Sequence, residues 1–288
     1  MVSQINTFRT RDNTVRLLAI LLCALLLSAC LVRAAYNNAD WLLVWELDSS
    51  FDLTRQQKQF IKERVREHLR WHRETELTKT IAFLRLVQES VGDGLTNAKL
   101  QDAVATFASL RNTLATRLAP DSAAFFAQVS DAQLEYLQKS FVKSNKDWEK
   151  RAKMSPTERR ADRTERVLDI ITDWVGPLSD AQEQKLTPAI EAIPDVQDIW
   201  LMHTKQRQRQ FVELVRSARD DRATATGEFV AWIKAESAPP ELNAHRAAIY
   251  QLVLEIDALC TETQHQHFNR KLQDWIDDLE LAHAEGAA

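Results

Sequence analysis

Glycine and proline are scarce in this chain of 288 residues, with 5 and 7 of each. So few glycines argue against phosphate-cradling loops and against turn-rich sandwiches, both of which depend on residues that tolerate positive φ or close backbone approach. Cysteine is scarcer still. The three present, Cys23, Cys30 and Cys260, are too few and of the wrong parity for a disulfide framework. No sustained strand alternation with hairpin chemistry occurs anywhere. The longest apolar run has eleven residues, Leu17–Leu27, too few to cross a hydrocarbon core about 30 Å thick as a helix. Neither sign of charge dominates, with 37 Lys+Arg against 41 Asp+Glu, and nucleic acid is not an expected partner. What remains is 45% hydrophobic and 27% charged, enough to fold. The composition predicts an all-α chain, either a multi-helix bundle or an irregular helical-hairpin array.

The N-terminus reads as an address. Arg9, Arg11 and Arg16 stand against the single acid Asp12 ahead of the apolar run, the layout of a secretory signal segment. Leu27-Ser28-Ala29-Cys30 follows directly, and it resembles the lipobox of bacterial lipoproteins. That resemblance implies cleavage before Cys30, a diacylglyceryl group on its thiol and a fatty acyl group on the new amine, with no other cofactor. Several acyl chains, at about 0.8 kcal/mol per buried CH₂, anchor a protein stably where one would not. Leu31 stands where an aspartate would mark inner-membrane retention, so the expected location is the outer membrane, facing the periplasm. The chain therefore divides into a signal segment 1–29, a lipidated cysteine and tether 30–35, and a helical body 36–288. From residue 30 onward there are 34 Lys+Arg and 40 Asp+Glu, and Cys260 is the only thiol left unmodified.

Helical periodicity fills the body. One long pattern runs from Gln56 to Val91 and stops at Gly92-Asp93-Gly94. A helix over 97–118 should end before Pro120, with a short segment 122–128 after it. Further helices are expected over 131–152, from Pro156 to Val175, and over 180–192, 196–222, 224–236, 241–258 and 262–284. Leu42, Trp45 and Leu47 are expected to pack on the body, with Trp41 either packed or at a bilayer interface.

Four helix starts share one pattern, an apolar residue, a hydroxyl, two spacers and a glutamine. They are Leu53-Thr54…Gln57, Val129-Ser130…Gln133, Leu178-Ser179…Gln182 and Cys260-Thr261…Gln264. Physically this is a capping box, in which the hydroxyl accepts from the N3 amide and the glutamine accepts from the cap's own N–H. Cys260 fills an apolar slot and reads as a small buried hydrophobe. The pattern resembles the Leu-Thr-x-x-Gln motif of the Spy and CpxP family of periplasmic helical proteins, which includes chaperones and metal sensors. A broader likeness runs through Tyr36-Asn37-Asn38, Asp40-Trp41-Leu42-Leu43, Trp45-Glu46-Leu47-Asp48, Phe51-Asp52-Leu53-Thr54 and Trp71-His72-Arg73. This is similar to a family of uncharacterised proteobacterial envelope lipoproteins, and it implies an all-helical lipoprotein without an assigned activity.

Candidate chemistry is sparse. His68, His72 and Glu76 fall four apart on one helix, a spacing that can place two imidazoles and a carboxylate on a divalent metal. A solvated or ion-paired face accounts for the same triplet. No nucleophile elbow, dinucleotide fingerprint or phosphate loop is present, so no enzyme activity and no catalytic residue are expected. Nine Lys or Arg against five acids lie between Lys143 and Arg166, whereas from Glu255 onward eight acids face only Arg270 and Lys271. The basic zone could meet lipid phosphates or another envelope polyanion, or pair internally with the acidic end. The expected function is that of a non-enzymatic, lipid-anchored envelope protein that binds protein clients or an envelope component, as chaperone or scaffold. A periplasmic metal sensor or buffer using His68, His72 and Glu76 is the alternative.

Overall fold

The computed structural model describes residues 36–235 and 239–287. The signal segment with Leu27, Ser28 and Ala29, the lipidation residue Cys30 and the tether 30–35 lie outside the described residues. Within them every regular element is helical: α1 (Ala39–Phe51), α2 (Arg55–Trp71), a π turn (His72–Glu76), α3 (Leu77–Gly92), α4 (Asn97–Phe126), α5 (Asp131–Ala152), α6 (Pro156–Val175), α7 (Asp180–Glu191), α8 (Gln197–Asp220), α9 (Arg222–Lys234), α10 (Pro240–Leu259) and α11 (Glu262–Ala287). The chain is all-α, an array of helical hairpins. None of these helices is long and apolar enough to cross a membrane.

All four glutamine boxes form. Each cap N–H donates to its own glutamine Oε1 at 2.9–3.0 Å, and each cap hydroxyl accepts from the glutamine's backbone N–H. The boxes also meet in pairs. At the first pair Gln57 Nε2 donates to Gln133 Oε1 at 3.1 Å and Gln133 Nε2 returns the bond to Gln57 Oε1 at 2.7 Å. The second pair repeats this between Gln182 and Gln264, at 2.7 and 3.2 Å. The remaining N–H of each amide goes to the carbonyl two residues before the partner's cap: Gln128 and Asp52 in the first pair, Leu259 and Pro177 in the second. Each amide thus gives two bonds and accepts two, so four buried glutamines are fully satisfied. Gly176, just before Pro177, sits at φ +88, a conformation that side chains disfavour. It turns the chain so that Pro177 presents its carbonyl to Gln264.

The apolar residue before each cap drives the same junctions together. Leu53 and Val129 join a core built by α1, α2, α4, α5, α8 and α9, where Phe126 meets Phe211 edge to face at 5.3 Å. Leu178 and Cys260 join a second core of Ile171, Val175, Leu186, Ile190 and Leu252. Burial, and then the charge of Asp257, push the Cys260 thiol up to about 11, in keeping with a packed side chain rather than a reactive one. A third core closes α3 on α11 through Leu77, Ile81, Trp275 and Ile276. Asn145 on α5 and Gln208 on α8 add another reciprocal amide pair, at 2.9 and 3.1 Å.

Three local expectations are corrected. The helix over 97–118 does not end before Pro120, because α4 continues through it to Phe126. Pro120 faces solvent while its neighbours Ala119 and Ala123 are fully buried, so the ring clears the core and water can serve the carbonyl it leaves unbonded. The long pattern after Gln56 is also not uniform, since Leu77 N–H donates to His72 O, five residues back, in the π turn. Trp45, expected to pack, is 48% exposed, and Trp41 is 62% exposed and not packed in the core; Leu47 packs on the core as expected, with Val44 in place of Trp45.

Gln133→Leu should cost about 2–3 kcal/mol, because it strands the buried amide of Gln57 and the carbonyl of Asp52. Thermal unfolding would show this as a Tm drop of several degrees, whereas the exposed Gln59→Leu should shift it by less than about 0.5 kcal/mol. Equal effects at the two sites would contradict the paired-amide account.

Candidate functional site

The basic zone noted in the sequence folds into a cavity of about 620 Å³ between α5, α6, α8 and α10. It begins with a local device. Ser155 caps α6, Pro156 opens it and Glu158 closes the box, and the bonds from Ser155, its backbone N–H first, hold the Glu158 carboxyl below the ordinary range. With α6 started there, Arg159, Arg163 and Arg166 fall at spacings of four and three and share one face. That face forms one wall. Arg151 and Trp148 come from the end of α5, Trp200 and His203 from α8, and His245 and Arg246 from α10; Arg111 reaches in from α4.

Six arginines face two aspartates in this lining. Arg159 bonds Asp195 at 2.6 Å and also donates to the carbonyls of Ala152 and Met154, so it ties the end of α5 to the start of α6. Burial tends to raise the Asp195 carboxyl, but its bonds from Arg159 and the Gln197 N–H outweigh that and hold it below the ordinary range. Arg166 bonds Asp162, and Arg151 lies 4.0 Å from the same carboxylate while covering the Trp148 ring at 5.5 Å. Arg163 is different. Its Nη2 reaches only the Glu191 carbonyl, at 3.3 Å, and its buried Nε has no hydrogen-bond partner. Burial, with Arg160 and Arg166 nearby, pulls its guanidinium below the ordinary arginine range despite the opposing charge of Asp195. Trp200 stacks on His203 at 5.9 Å, so the floor is aromatic. Chemically, this is a concave site with an excess of planar donors, suited to phosphate or carboxylate.

The triplet His68, His72 and Glu76 is not brought together. His68 Nε2 lies 2.8 Å from Asp121 Oδ2 on α4, His72 Nδ1 is 2.8 Å from the Tyr36 hydroxyl, and Glu76 pairs with Lys79 at 2.7 Å. The π turn begins at His72, and it widens the helix so that residues four apart no longer stack. Among the described residues no group of three His, Cys, Asp or Glu side chains is arranged to hold a metal ion. Acids of the C-terminal end have partners outside the basic zone. Glu280 pairs with Arg85 on α3, Asp257 with His265, and Arg151, Arg159 and Arg166 with aspartates of their own region.

Residues 49–226 match DUF6279, described as a family of unknown function. The chain belongs to the DUF6279 family. The matched segment holds the first amide pair, Gln182 of the second and the arginines from Arg111 to Arg166; His245, Arg246 and Gln264 lie beyond it. No curated protein matches the chain, and no solved structure does. Of the cavity residues, Arg159, Arg163 and Arg166 belong to the basic charge density that the sequence shows. Trp148, Trp200, His245 and Arg111 carry no such signal, because only the packing of distant helices collects them.

The two histidines make a pH-dependent contribution whose sign is fixed. Burial is the main cause that lowers both, against the pull of Asp121 on His68 and of Glu76 on His72. Burial also pushes Tyr36 up to about 12, against the charge of Arg73, so its hydroxyl stays protonated beside His72. The unfolded chain, at the ordinary value of 6.5, binds these protons first. Their contribution is complete above that value and is lost as pH falls below it towards and through the lowered folded values. Tm measured from about pH 8 to about pH 5 should decline below about pH 6.5, and His72→Gln should flatten the decline; an unchanged slope in that variant would contradict the assignment.

Proposed function

We propose that this protein is a non-enzymatic, lipid-anchored envelope protein whose periplasmic body binds an anionic envelope component in the arginine-lined cavity. The observation that carries the reading is the guanidinium excess in that cavity, with Arg163 held there without a carboxylate in ion-pair contact. The chain from residue 30 onward is acidic overall, so a basic concavity within it is a local feature and not a by-product of composition. Burial strengthens such a site, because charge-assisted bonds gain where water is excluded. The lipobox at Leu27, Ser28, Ala29 and Cys30 supports anchorage, and Leu31, where an aspartate would mark inner-membrane retention, supports an outer-membrane, periplasm-facing location. Between the two partner classes expected from the sequence, an anionic component fits the cavity better than a protein client, since the lining is small, concave and charged.

Two experiments test the parts separately. Cells fed labelled palmitate should label the wild-type chain and not Cys30→Ser, and the wild type should fractionate with the outer membrane; label retained in the variant would remove the anchor from the reading. For the cavity, the mature chain carrying Cys30→Ser is titrated with glycerol phosphate while the Trp148 and Trp200 indole resonances are followed. Saturable shifts that weaken at least about fivefold in Arg163→Gln and fade with added salt are expected. The absence of shifts, or shifts indifferent to Arg163, would contradict it.

A further inference from the structure

A second cavity, of about 220 Å³, lies between α1, α2, α4, α8 and α9, and its walls are mostly apolar and aromatic, with Leu47, Phe60, Leu118, Phe126 and Trp232 among them and Arg64, His68 and Asp121 at its polar edge. It adjoins the arginine-lined cavity. Arg111 lines both. On α8, His203 faces the basic cavity and Phe211 the apolar one, with Arg207 midway between them at helical spacing. The end of α9 divides in the same way, Ile233 on the apolar side and Ala235 on the basic side. Three helices therefore run past both spaces and carry the boundary at the same level.

Two polar groups at that boundary are unpaired donors. Arg111 Nε and Trp232 Nε1 are buried without a hydrogen-bond partner, as is Arg163 Nε on the wall of the basic cavity. The Arg207 guanidinium lies 3.9 Å from the centre of the Trp232 ring, a cation–π contact that leaves its in-plane N–H groups for another acceptor. Buried donors that lack an acceptor are costly, and an anion at the boundary would supply one. From Arg111 the apolar wall follows α4 to Phe126, a distance of about 22 Å at the helical rise. An apolar wall of that length can accompany an extended chain along the helix.

We infer that the two cavities form one site for an anionic single-chain lipid, its phosphate among Arg111, Arg163 and Arg207 and its acyl chain along the aromatic cavity. The inference rests on the arginine cavity being an anion site, as proposed above, and adds the ligand's class. An acyl chain satisfies the apolar walls through burial alone, while the charged end fixes its direction.

The mature chain with Cys30→Ser is titrated by calorimetry, below the micelle-forming concentration, with three probes: a palmitoyl lysophosphatidylglycerol, glycerol phosphate, and a palmitoyl monoacylglycerol. The lysolipid should bind at least about tenfold more tightly than either half, about 1.4 kcal/mol. Arg111→Met should weaken the lysolipid about tenfold and leave the monoacylglycerol unchanged. Leu114→Trp, which fills the apolar cavity, should abolish the chain's contribution and leave glycerol phosphate binding intact; if that variant does not fold, Arg111→Met alone decides. Glycerol phosphate binding as tightly as the lysolipid would overturn the lipid inference and leave the anion site standing. Monoacylglycerol binding as tightly as the lysolipid would overturn the coupling of charge and chain. Failure of all three probes to bind would overturn both the inference and the anion reading.

Discussion

The structure depends on a bond that two glutamines make with each other. A primary amide has two N–H groups and an oxygen that accepts twice, so two amides face to face can pair and still hold a backbone group on either side. Gln57 with Gln133, and Gln182 with Gln264, use all of that capacity. Each pair joins two helix starts that are far apart in the chain, and each is buried where an unpaired amide would be expensive. Because the same glutamine closes its own capping box, local helix initiation and long-range docking are one event: a helix that frays also undocks.

The cavity inherits its shape from these junctions. The second pair draws Pro177 against the start of α11, and Pro177 directly follows the end of α6. With that end fixed, and with Arg159 binding the last turn of α5 at the other, α6 is held at both ends and its arginine face is held with it. The aspartates Asp162 and Asp195 neutralise part of the positive charge and orient two guanidinium groups. They leave Arg163 on the cavity wall, and Arg111 where the cavity meets the apolar space, without a carboxylate in ion-pair contact. A fold that relied on ion pairs alone for its junctions would gain little from exposed ones; here neutral amides carry the joints and the charges are left for the surface and the cavity.

How much of this was legible in the sequence follows from the range of each interaction. Capping boxes are local, so Thr54, Ser130, Ser179 and Thr261 could be read as helix starts from five residues at a time. Their pairing could not, because Gln57 and Gln133 are 76 residues apart and Gln182 and Gln264 are 82, and nothing in either box names its partner. Pro120 misled for a related reason. Its local cost is real, yet it faces water while Ala119 and Ala123 pack behind it, and tertiary burial outweighs one missing bond. The His68, His72 and Glu76 triplet was read on ideal helical spacing, and a π turn together with Tyr36, Asp121 and Lys79 separated the three. Arginine density marked one wall of the cavity; the tryptophans and Arg246 opposite come from other helices and leave no pattern along the chain.

Native-state hydrogen exchange at the backbone amides of Thr54, Ser130, Ser179 and Thr261 tests the central claim most directly. Each donates to a glutamine Oε1 that also bonds the partner glutamine across the junction, whereas ordinary cap amides exchange through local fraying. If paired amides hold the fold together, all four should exchange as slowly as the core amides of Leu137 and Val215, by global unfolding alone. Exchange of the four at the rate of exposed helix ends, with the core still protected, would contradict the claim.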